Sequence, residues 1–206
     1  MTDFYSNFHL IIRWLHVIAG ITWIGHLYFF NFVNVPLQGA LDDVTKKGVN
    51  PQLLPRALWW FRWGAMATLL AGLTLFILTY LYTPGVGFGP TSLLMDAGAL
   101  TSRAAWILLG MLLGTIMWFN VWVIIWPAQK ALLTGKVPGD KAPALRKKAL
   151  LASRTNAFLS GPMLFCMLAP SHYGAMNICS LAIAFGLGLL AIWVSIKSSY
   201  TVGKLR

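Results

Sequence analysis

Acidic side chains are nearly missing from this chain: 206 residues carry five, against 16 Lys and Arg. All five are aspartates, at Asp3, Asp42, Asp43, Asp96 and Asp140, and none falls inside an apolar stretch. A di-iron carboxylate centre therefore has no ligands, and a proton pump built on a buried Asp or Glu has no relay. Cysteine is scarce too. Cys166 and Cys179 lie in apolar stretches and form neither CxxC nor the CxxCH that attaches c-type haem, so both read as buried, reduced and space-filling. Charged residues of all kinds make up only 10%, while 58% are hydrophobic and mean hydropathy is +0.69, which excludes an ordinary soluble domain. The net charge of +11 does not point to nucleic acid, because the basic residues gather in connections between apolar runs rather than along one amphipathic face. The opening segment MTDFYSNF lacks the positive charge of a cleavable signal peptide, so the first apolar run is expected to remain as a helix. With no internal repeat, low-complexity tail or composition shift, residues 1–206 read as one domain.

Five runs approach the roughly 20 residues that cross the hydrocarbon of a bilayer: 8–35, 58–82, 103–126, 152–170 and 175–197. The fold class is thus an all-α integral membrane protein, a bundle of about five transmembrane helices. Proline is expected to end the first run near Pro36 and the third at Pro127. Gly110 and Gly114 form a GxxxG pair suited to close helix packing. Lys46, Lys47 and Arg56 follow the first run, and Lys130, Lys136, Lys141, Arg146, Lys147, Lys148 and Arg154 follow the third, with Lys204 and Arg206 in the tail. The other two connections have no Lys or Arg before Arg103. The positive-inside rule then places the N-terminus outside and the C-terminus in the cytoplasm, as for a multi-pass protein of a bacterial inner membrane.

Three of the four histidines, His9, His16 and His26, sit in the first run with Arg13. Hydrocarbon solvates such groups poorly, so each needs a partner, a cavity or a cofactor. On an ideal helix His9 and His16 fall on one stripe, with Arg13 between them and Gly20 beyond, whereas His26 lies roughly 80° around and about 15 Å further along. Two separate sites, or one site and one structural histidine, fit this spacing better than a single cluster. His172, in the short connection between the fourth and fifth runs, can join His9 and His16 if the first and fourth helices are neighbours. Neutral imidazoles between apolar helices suit haem iron, with Arg13 and Arg103 available for its propionates. His16 and His172 are the candidate iron ligands. The blander alternatives are that His9 and His172 are wet interfacial residues, and that His26 is satisfied by Asn31, Tyr28 or a main-chain carbonyl. A copper site using Met163, Met167 or Cys166 is a further alternative. Tryptophans at 59, 60, 63, 118, 122 and 126 read as interface belts, and Arg62 among them as a snorkelling residue. Asn120 and Asn156 read first as helix-to-helix hydrogen-bonding groups.

WLHVIAGITWIGHLYFFN, GTIMWFNVWVIIWPAQK and TNAFLSGPMLFCMLAPSHYG resemble the membrane domain of the bacterial cytochrome-linked urate hydroxylases, the urate oxidase N-terminal family. The first of these segments is also similar to small haem-binding protoporphyrinogen oxidases and to copper-resistance membrane proteins, in which a histidine at the place of His16 is linked to haem or metal. Asn120, Asn156, Pro162, His172 and Tyr173 are members of the matching motifs. The full-length urate enzymes continue into a c-type cytochrome that accepts electrons, and this chain reads as a short form without it. The resemblance therefore implies a haem b protein, possible urate hydroxylase-like activity, and a separate periplasmic cytochrome c or quinone as redox partner. The alternative is a non-catalytic accessory subunit of a respiratory or photosynthetic membrane complex. A small transporter is disfavoured, since no broken helix or charged pathway stands out.

Overall fold

The computed structural model describes residues 3–90, 92–95, 98–173 and 175–203; Asp96, Lys204 and Arg206 lie outside them. Five long helices follow one another: α1 Phe4–Ala40, α2 Asp43–Leu81, α3 Ser102–Leu133, α4 Ala142–His172 and α5 Ile178–Ser198. Four of them, all but α4, are long and apolar enough throughout to cross a membrane. α4 begins with a basic stretch and becomes apolar only in its second half. The connection after α2 folds as a small antiparallel hairpin, β1 Tyr82–Thr83 and β2 Gly87–Phe88, with Tyr82 opposite Phe88.

The helices overrun the spans expected from hydropathy, chiefly at one end. At about 1.5 Å per residue, α1 and α2 each exceed 50 Å, well beyond a hydrocarbon core of roughly 30 Å. The excess carries Lys46, Lys47 and Arg56 on α2 and Arg146, Lys147 and Lys148 on α4, so the segments expected as basic loops are the charged ends of helices. Asp42 caps α2 by accepting from the amides of Val44 and Thr45 at 2.9 Å and from the Thr45 hydroxyl at 2.6 Å.

Neither Pro36 nor Pro127 ends its helix. Each follows a π-helical stretch, Phe29–Asn34 and Asn120–Ile125, in which the amides of Val35 and Trp126 reach back five residues to the carbonyls of Phe30 and Val121. A return from π to α register passes over one carbonyl, and proline is the residue with no amide to give it, so the two defects coincide and the helix continues.

α1 and α2 pair as one hairpin, α3 and α4 as another, and α5 packs on α4. Gly64 lets the α1 main chain approach α2: a methyl there would lie 3.1 Å from the Trp23 amide. The closest contact, however, is between α4 and α5, where a methyl on Gly161 would lie 2.6 Å from the Gly188 carbonyl. The expected GxxxG pair divides its roles. A methyl on Gly110 would lie 3.1 Å from the Cys166 Cβ, whereas one on Gly114 would meet nothing within 4 Å. The main core joins the two hairpins around Trp23, Leu27, Phe61, Met117, Val121 and Met163, towards the basic end. Trp118, Trp122 and Trp126 pack against this core rather than forming a belt, while Trp59, Trp60 and Trp63 face outward as expected. Arg62 does not snorkel freely: its guanidinium lies 3.7 Å from the Trp126 ring centre, a cation–π contact. Of the cysteines, Cys166 is buried as expected and Cys179 is exposed on the outer face of α5.

Candidate functional site

Beyond the core, away from the basic end, the two hairpins part. The gap is a cavity of about 570 Å³, walled by α1, α2, α3 and α4. That lies within the roughly 300–1,000 Å³ of typical ligand sites. Four of the six residues expected to hold a cofactor line it: Arg13, His16, Arg103 and His172. Most of the remaining wall is apolar, with Met111, Met163 and Met167 among its members.

His16 is held on α1 by its neighbour helix. Its Nδ1 lies 2.9 Å from the Thr68 carbonyl. A carbonyl only accepts, so Nδ1 carries the hydrogen, and the neutral ring presents a bare Nε2. Gly72 makes room for this pose, because a methyl at that position would lie 2.9 Å from the ring's Cε1. His172, exposed at the end of α4, is held by its own helix instead, with Nδ1 3.2 Å from the Leu168 carbonyl four residues back. A carbonyl that accepts from the far side of the ring fixes the tautomer of metal-binding histidines in this way. Rings bonded to main chain are also what a purely structural role would give; the difference here is the space in front of two of them.

The other two histidines stand apart. His9 uses its Nε2, 3.1 Å from the Thr79 hydroxyl, to tie α1 to α2 at the cavity's edge and does not line it. His26 lies in a second, shallower groove, with its Nδ1 2.7 Å from its own helix's Thr22 carbonyl. A main-chain carbonyl is thus its partner. Asn31 instead donates to the Leu27 carbonyl and the Ser153 hydroxyl, each at 2.9 Å, and Tyr28 meets Ser160 at 3.0 Å.

Asn120 donates to Asn156 at 2.8 Å, and Asn156, fully buried, donates to the Met117 carbonyl at 2.8 Å. The pair stitches α3 to α4 and lies outside the cavity. Tyr173 stacks edge-on with Trp106 and Phe165, closing the α3–α4 end. Met163 and Met167 face the cavity but Cys166 does not, and among the described residues no three His, Cys, Asp or Glu side chains gather as a metal site would require. Sequence reasoning missed Thr68 and Gly72, whose importance depends on the register of α2 against α1. It also missed Trp23, which lines the inner end of the cavity with its indole N–H unpartnered among the described residues.

The sequence profile described as urate oxidase N-terminal matches residues 2–49, 37–97 and 90–204. No curated protein and no solved structure matches the chain. The three matched segments together span nearly the whole sequence, and they contain every helix and every side chain that walls the cavity. This chain belongs to the urate oxidase N-terminal family.

Proposed function

We propose that this chain is a haem b-binding redox protein of the bacterial inner membrane, a urate hydroxylase-like membrane domain that passes electrons to a separate cytochrome c or quinone. The observation that carries the reading is the shared cavity: two imidazoles with bare Nε2 atoms and two guanidiniums, on walls that are otherwise mostly apolar. This donor set fits a haem. His16 and His172, on α1 and α4, would hold its iron, with their rings oriented by the carbonyls of Thr68 and Leu168. Arg13 and Arg103 are the candidate partners for its propionates, and Met111, Met163 and Met167 add apolar surface for the ring. A bound haem supplies a one-electron couple, and the chain's own groups hold it, fix its ligands and set the polarity around it.

The basic helix ends support placing the cavity on the periplasmic side, within reach of a soluble cytochrome c. Urate, the substrate in the family's name, is the candidate reductant. Arg13 and Arg103 are the cations available to a planar anion there, since Asn120 and Asn156 spend their amides on each other and on Met117.

Absorption spectra of the purified protein, oxidised and reduced with dithionite, test the proposal. A sharp reduced α-band that disappears in His16→Ala and persists in His9→Ala is expected. A pure protein that retains no haem after incubation with it and removal of the excess overturns the haem reading and leaves the accessory-subunit alternative. Urate-dependent reduction of added cytochrome c then tests the substrate.

A further inference from the structure

The second groove, about 520 Å³ on the flank of the α1–α2 hairpin, has chemistry of its own. Its apolar floor and walls come from Ile21, Gly25, Phe29, Leu53, Ala57 and Trp60, and its polar groups are His26 and Arg56 with Thr22. Gly25 has nothing within 4 Å of where a methyl would stand, so the floor is open. The tautomer of His26 is set by the Thr22 carbonyl, which leaves Nε2 bare and without a partner among the described residues. Arg56 is tethered through one nitrogen to the Gln52 carbonyl and side chain, which leaves its other donors available. Gly20 faces Thr68 and Trp23 faces Gly64 across the hairpin, so His26 is about level with Phe61. Arg56 is then about five residues, or ~7 Å, nearer the basic end.

The groove therefore offers an acceptor at one level and a cation one to two turns away, in an apolar channel on the outer face of two membrane-crossing helices. We propose that it binds a lipophilic hydroquinone, entering from the bilayer. One ring hydroxyl donates to His26 Nε2, the second ring oxygen accepts from Arg56, and the ring lies against Trp60 and Phe29. A phospholipid whose phosphate meets Arg56 keeps its headgroup donors on the water side of that level and brings only ester carbonyls, which accept, and acyl chain to the depth of His26, so the bare Nε2 stays unanswered; the hydroquinone answers both. The inference rests on the electron-transfer reading only in giving its quinone partner a location, and binding in this groove needs no haem.

Equilibrium binding of decylubiquinol and decylubiquinone to the full chain in nanodiscs tests it. Wild-type protein should hold the quinol roughly fivefold or more tighter than the quinone, the effect of one neutral hydrogen bond. His26→Phe should abolish that preference while keeping quinone affinity, and Arg56→Gln should weaken both forms. His16→Ala should leave quinol binding intact while altering any haem spectrum, so the two proposals fail separately. Equal affinities in wild type and His26→Phe, or full displacement of the quinol by anionic phospholipid in the nanodisc, would overturn the assignment.

Discussion

Gly72→Ala is the sharpest probe of the cavity, because its effect can be worked out from distances. The added methyl would stand 2.9 Å from His16 Cε1 and 3.2 Å from Nδ1, whereas ordinary contact begins at 3.4 Å. The ring must withdraw by about 0.5 Å, which stretches its 2.9 Å bond to the Thr68 carbonyl past the usual ~3.2 Å limit. Losing that orienting bond costs about 1 kcal/mol, or roughly a fivefold weaker grip on anything held through Nε2. Haem titrations of wild type, Gly72→Ala and Gly25→Ala, followed by absorbance, read this directly. Gly25 is the control, since it too is helical on this hairpin but its methyl meets open space. If Gly72→Ala titrates like wild type while His16→Ala abolishes binding, the Thr68–Gly72 cradle does not set the ligand's pose.

Gly161→Ala should destabilise the α4–α5 contact, because its methyl meets the Gly188 main chain at 2.6–2.8 Å and no side chain can swing away. An overpacking cost of about 1–3 kcal/mol should appear as a lower melting temperature in detergent. Asn156→Ala removes one of the bonds to the Met117 carbonyl and strands the Asn120 side-chain amide, a loss of about 1–3 kcal/mol by the same melt, with any haem spectrum unchanged because the pair lies off the cavity. The Thr45 hydroxyl and amide, with the Val44 amide, hold the Asp42 carboxyl below the usual aspartate range. The cap it provides is therefore fully present above about pH 4 and is lost as pH falls through the lowered value. Hydrogen exchange at Val44 and Thr45 should accelerate under acid conditions, and Asp42→Asn should flatten that dependence.

Hydropathy alone made the five helices legible, because a bilayer-crossing helix needs an apolar length and little else. The separation of His16 from His26 was legible as well, since helical angle depends only on spacing. Two kinds of feature were not. Pro36 and Pro127 read as terminators because the compensating π turns arise from hydrogen-bond register, which composition does not encode. Thr68 and Gly72 looked like ordinary members of an apolar run, and Gly161 and Gly188 are too far apart in the chain to read as a packing pair. Their roles come into existence only when two helices slide into register. The basic stretches at 43–57 and 142–151 were misread for a related reason: a charged segment at the end of an apolar helix looks like a loop until its hydrogen bonds are seen.

The division of the bundle into two hairpins, joined around Trp23, Phe61 and Met117 and splayed beyond, has a thermodynamic corollary. Whatever fills the gap touches both hairpins at once, so its association energy adds to the cohesion of the bundle. Loaded and empty molecules should then unfold at different temperatures, with the interval widening as the ligand's concentration rises. The guest becomes, in effect, the fifth wall of its own chamber.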